Sequence, residues 1–122
     1  RKVLARGMSI GEIGVTGKAR NINSNLDLSL ISPGEILFVP KNLLIKLPFS
    51  KKITGIVTDE TVDECYKIFK ENNIKISTIC NLDKVDNNAQ NGDLITLQLN
   101  EGVIYMGQIE EEEETLDKYK YV

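Results

Sequence analysis

The 122-residue sequence contains no histidine and no tryptophan. Without an imidazole there is no Ser-His or Cys-His nucleophile pair, no histidine metal site and no histidine phosphoryl carrier. Cysteine is sparse as well: Cys65 and Cys80 are the only two. That number makes no disulfide framework, and both fall in apolar periodic positions, so they read as reduced core thiols in a cytoplasmic compartment. No hydrophobic run approaches a membrane span or a secretory h-region. Positive charge is never concentrated beyond Lys51-Lys52, and the net charge of −3 argues against a nucleic-acid surface. What remains has the length and composition of one globular α/β domain able to bury its own core. The first residue is Arg1, not methionine, which points to a segment of a longer polypeptide.

The chain is organised around Ile53–Cys80. Ile53–Val57 is a short apolar strand that runs into the polar cluster Thr58-Asp59-Glu60. From Thr61 the period changes. Val62, Cys65, Tyr66 and Phe69 recur at helical spacing, which predicts a helix from Thr61 to about Asn72 packed through those four side chains. Asp63 and Lys67 sit at a favourable i,i+4 spacing on the polar face. Asn72-Asn73 supplies a residue tolerant of the left-handed conformation past the last turn. Lys75–Ile79 then reads as a second strand. In α/β domains functional groups collect where a strand's carboxyl end meets a helix N-terminus, which here is Thr58–Glu64.

Around this unit the pattern is rich in strands. Lys2–Arg6 and Val15–Ile22 read as strands separated by a glycine-rich turn. That turn fails the phosphate-loop pattern, because Glu12 and Ala19 stand where a glycine and a Ser or Thr are required. Asn21–Asn25 reads as a loop and Ser32-Pro33-Gly34 as a turn. Glu35–Val39 is a central strand, and Asn42–Leu47 a short helix ended by Pro48. Asn81–Asn91 is polar and loop-like, Asn91-Gly92-Asp93 is a turn, and Leu94–Leu99 with Val103–Met106 forms a C-terminal β-hairpin. The glutamate run Glu110–Glu114 begins an acidic tail or linker, so the expected division is a domain over 1–109 and a tail over 110–122.

Four of these landmarks, in order, resemble the swivelling domain of phosphoenolpyruvate-utilising enzymes. They are Gly17-Lys18-Ala19-Arg20, Ser32-Pro33-Gly34-Glu35-Ile36-Leu37, Gly55-Ile56-Val57-Thr58-Asp59-Glu60, and the pair Asn91–Thr96 with Glu101–Gly107. The family includes pyruvate phosphate dikinase, PEP synthase and the extra C-terminal domain of many pyruvate kinases. The resemblance covers roughly Lys2 to Gly107. It implies a β/β/α swivelling fold with one main helix, and in the dikinases a phosphoryl group carried on a histidine just after the Thr-Asp-Glu step. In this sequence that position falls on Glu64, with Cys65 beside it, and the family's preceding glycine pair has no counterpart.

Both residues have simpler readings. Thr61-Val62-Asp63-Glu64 has the form of a capping box, in which Thr61 accepts from the N3 amide and Glu64 reaches back to the cap. An alternative is that Glu64 imitates a phosphorylated acceptor at the positive end of the helix dipole. Cys65 shares the apolar face with Phe69 and reads as core, against the alternative of a replacement nucleophile. The expectation is therefore a non-catalytic swivelling-type domain with no catalytic residue, cofactor or metal of its own. Its partners would be the remainder of the parent polypeptide, most closely a pyruvate kinase, and oligomer contacts, with neither nucleic acid nor membrane. Two other readings stand beside it. One is a phosphoryl-carrier domain of a PEP synthase or dikinase using Cys65, Asp59 or Asp63. The other is a stand-alone binding module on a reused scaffold.

Overall fold

The structure, a computed structural model, describes residues 2–109; the acidic run and tail from Glu110 lie outside the described residues. Strands β1 (Val3–Arg6), β2 (Met8–Ile10), β3 (Val15–Asn21), β4 (Ile36–Val39), β5 (Gly55–Thr58), β6 (Ser77–Cys80), β7 (Leu94–Gln98) and β8 (Val103–Met106) join in one mixed sheet of order β1-β8-β7-β3-β4-β5-β6-β2. The helices are α1 (Asn25–Leu28), α2 (Lys41–Leu44) and α3 (Val62–Glu71). Strands β3 to β6 are parallel and lie side by side in chain order. A sheet wound in one direction by right-handed crossovers carries all its helices on one face.

Period-2 alternation decides which side chain faces which layer. Leu37 and Val39 of β4, Ile56 of β5 and Cys80 of β6 join Leu43, Leu44, Cys65, Ile68 and Phe69 in the helix-side core. Their neighbours Ile36, Phe38, Val57 and Ile79 point the other way, onto Ile95, Leu97 and Ile104 of the antiparallel β7 and β8. Both faces of the parallel strands are covered, which is why β4 is apolar at all four positions rather than alternating.

The two ends of the strand order are consecutive in the chain, with Gly7 alone between β1 and β2. Its first half, Val3–Arg6, pairs with β8 and its second half, Met8–Ile10, with β6, so the sheet closes on itself. The Gly7 N–H donates to the Gly102 carbonyl at 2.9 Å. A Cβ on Gly7 would collide with the Cys80 carbonyl oxygen, so glycine is required by close approach. One ion pair pins β3 to the entry of β4. Arg20 holds Glu35 through Nε at 3.1 and 3.2 Å and through a terminal nitrogen at 3.0 Å, while Glu35 Oε1 also accepts the Ser32 N–H at 2.6 Å.

Several expectations need correction. Met8–Ile10 is a strand, not part of a turn region, because the closed sheet supplies a partner, β6, that the local sequence does not advertise. The expected loop Asn21–Asn25 ends in a helical turn, Asn25–Leu28, for which Asp27 accepts the Asn23 and Ser24 N–H groups at 2.7 and 3.2 Å and caps it. The second short helix is Lys41–Leu44 rather than Asn42–Leu47. The stretch Asn81–Asn91 is not merely solvated, since Leu82 and Val85 are buried in the core between the sheet halves. Tyr66 does not pack inward: it is 55% exposed, and Ile68 takes its place beside Cys65 and Phe69. Tyr66 and Ile68 flank the stripe on opposite sides, and the aliphatic one faces the sheet.

Candidate functional site

The turn from Thr58 to Cys65 joins β5 to α3 at the carboxyl edge of the parallel strands. The polar groups from Thr58 to Thr61 are tied to the fold. Thr58 is fully buried; its Oγ1 accepts the Glu60 N–H at 3.2 Å and its carbonyl accepts the Leu82 N–H at 3.2 Å. Asp59 turns away from the helix start and accepts the Lys41 N–H at 2.8 Å, satisfying an open donor of α2. The Glu60 carbonyl accepts the Asn81 N–H at 2.7 Å. Asn81 takes φ +60° to make that approach, a conformation asparagine tolerates better than most residues.

The cap of α3 differs from the expected reciprocal box. Thr61 Oγ1 accepts the Glu64 N–H at 3.3 Å, as the spacing predicts. The other half comes from elsewhere: Glu60 Oε1, not the Glu64 carboxylate, accepts the Thr61 N–H at 2.9 Å. Glu60 is one residue from the donor and already held by its backbone bonds, so it reaches the amide without ordering a longer loop. The Glu64 side chain is half-buried and, among the described residues, makes neither hydrogen bond nor ion pair.

Cys65 lies at the bottom of the first turn, fully buried, and its N–H donates to the Thr61 carbonyl at 3.0 Å. Interaction with Cys80, then burial, then the negative charges of Glu60 and Glu64 push the Cys65 thiol well above the ordinary thiol range. The Cys80 thiol, equally buried, donates to the Met8 carbonyl at 3.3 Å. The two cysteines are free thiols in the same core cluster. The sequence places each one in the core but does not reveal the electrostatic influence of one on the other. Glu60 lay in the Thr58–Glu64 junction without its capping role being assigned, and Asn81 was passed over; the signal available was the Thr-Asp-Glu cluster standing directly before a helix cap.

Among the described residues no group of three or more His, Cys, Asp or Glu side chains could hold a metal ion. None of their helices is long and apolar enough to cross a membrane. A separate open cleft of about 1040 Å³ runs between the Gly11–Ile13 turn and the second half of α3, with Ile10, Ile13, Tyr66, Phe69, Ile74 and Ile76 as its apolar lining. It shares no residue with the Thr58–Cys65 turn.

The class defined by this geometry is a small mixed α/β domain whose strand-to-helix junction is closed by its own hydrogen bonds. No protein-family model matches the chain. It is 25% identical over 113 residues to a protein of Archaeoglobus fulgidus named probable phosphoenolpyruvate synthase, which covers 93% of this chain and 15% of that protein. It is 24% identical over 109 residues to pyruvate kinase 2 of Synechocystis sp., covering 89% of this chain and 18% of that one. The chain thus spans less than a fifth of the length of these two relatives.

Proposed function

We propose that this chain is a swivelling-type domain within a larger phosphoenolpyruvate-utilising polypeptide, closest in type to the extra C-terminal domain of pyruvate kinases. Its role there is structural or regulatory, through packing on the catalytic part or through oligomer contacts, and it carries no phosphoryl group. The observation that supports this most is the state of the Thr58–Cys65 turn. A carrier must be exposed, deprotonated and able to reach two active sites. No imidazole exists in the chain, Cys65 is buried with its thiol held protonated, and Asp59 is bonded to the start of α2. Glu64 and Asp63 remain, on the first turn of a helix whose backbone is already bonded. The two relatives, both far longer than this segment and named for enzymes of phosphoenolpyruvate chemistry, support the setting.

The test is to incubate the full chain with labelled phosphoenolpyruvate, and separately with ATP and the catalytic parts of a PEP synthase, then record intact mass. No phosphate is expected. A stoichiometric phosphate that disappears in Glu64→Gln or Cys65→Ser would establish the carrier reading instead. The structural role is checked in the parent polypeptide by deleting residues 1–109. Subunit assembly or the response of the catalytic part to effectors should change, while the chemistry of the catalytic part persists.

A further inference from the structure

The chain has a reactive bond that its function does not use. Asn91-Gly92 is the pairing most prone to deamidation, because a residue without Cβ leaves its peptide nitrogen free to approach the preceding side-chain amide. Asparagine is for this reason counted among the thermolabile residues. Both residues are exposed at the turn before β7, and nothing beyond Gly92 would hinder the approach, since even an added Cβ there meets no atom.

Both reacting groups are nevertheless held. The Gly92 N–H, the nucleophile once deprotonated, donates to the Ala19 carbonyl at 2.9 Å. The Asn91 Oδ1 accepts the Asn21 N–H at 2.7 Å and Asn21 Nδ2 at 3.3 Å. Asn21 is itself anchored by donating Nδ2 to the Ala89 carbonyl at 2.8 Å. The Ala19 N–H closes the ring of contacts by donating to the Asp93 carbonyl at 2.8 Å. The carboxyl end of β3 therefore grips the turn on both sides of the susceptible bond.

We propose that Asn91 is a deamidation site gated by the grip of β3 on the 90–93 turn, silent while the grip holds and reactive when it opens. In the open turn the Gly92 nitrogen loses its proton and bonds to Asn91 Cγ. The side-chain nitrogen leaves as ammonia, and a cyclic imide results. Water then cleaves one of the two imide C–N bonds, giving aspartate or isoaspartate at position 91. Aspartate keeps an oxygen for the Asn21 N–H but adds a negative charge two residues from Asp93. Isoaspartate lengthens the backbone by one carbon, so the Gly92 N–H and the side-chain acceptor no longer meet β3 together. The change is one-way, and its rate reports how often the seam between β3 and the turn opens.

The experiment holds the full chain at mildly alkaline pH, folded in buffer and unfolded in denaturant, and follows each asparagine by peptide mass spectrometry. In the unfolded chain Asn91 should be converted first. In the folded chain its conversion should be slower by on the order of tenfold or more, the protection expected of a local opening step. Asn21→Ala, which deletes two of the clamping bonds, should speed conversion in the folded protein. If that variant does not fold, the folded-to-unfolded comparison on the unaltered chain decides alone. Equal rates in the two states, or another asparagine leading in the unfolded chain, would overturn the proposal.

Discussion

Cys65 and Cys80 are both fully buried in the helix-side core. A buried thiol held protonated is a poor nucleophile, so a disulfide-exchange reagent should find neither in the folded protein and two after unfolding. Reaction of one thiol before global unfolding would mean that the first turn of α3 opens independently. Glu35 is the other residue on which much depends. Its side chain is 8% exposed and that of Arg20 22%, so removing the carboxylate strands a partly buried guanidinium. Glu35→Gln is expected to lower stability by about 3 kcal/mol, read as a shift in the midpoint of urea unfolding at unchanged slope. Arg20→Lys should recover only part of the pair, because a lysine cannot present two parallel donors to one carboxylate.

Helix α3 separates its cap residue from the acid beside it. Thr61→Ala removes the side-chain acceptor of the Glu64 N–H and should cost about 1 kcal/mol. Glu64→Gln, which touches no bond of the cap, should stay within about 0.5 kcal/mol of the parent. A large loss at Glu64 in the same thermal unfolding assay would mean that its carboxylate is engaged after all. The helix also marks how far the sequence could be read. Its existence, its Thr61 start and its asparagine stop were all legible, and Asn73 does take φ +52° past the last turn. So were β4, β5, β6 and the C-terminal hairpin, because long apolar or alternating runs bounded by turn residues carry their own signal. What was not legible depended on contacts far along the chain. Met8–Ile10 becomes a strand because Thr78–Cys80 lies beside it, and Leu82 and Val85 are buried only because the sheet halves leave a core there to fill. At the candidate site spacing gave the Thr61 cap and the buried position of Cys65. The acid that completes the cap was assigned one turn too far along, since a periodic template gives spacing and not the path of the loop before it.

At the scale of the whole molecule the sheet's closure rests on Gly7. Gly7→Ala places a methyl group against the Cys80 carbonyl, where backbone must move, and should cost about 3 kcal/mol. Gly107→Ala is the control. Gly107 has φ +86° with open space around it, so only the left-handed backbone is penalised, at about 1 kcal/mol. Chemical unfolding of both variants should separate them, and a mild Gly7→Ala would mean that β1 and β2 are not held as one continuous strand. The same continuity has a consequence during synthesis. Val3 finds its partner at Tyr105 and Met8 at Cys80, so the first strand of this domain to be made waits for its last. Pairings so distant in sequence slow folding and leave no half-length chain with a finished sheet. A nascent chain arrested before Val103 should therefore be degraded rapidly by an added protease, and resistance should appear in one step once β8 has emerged.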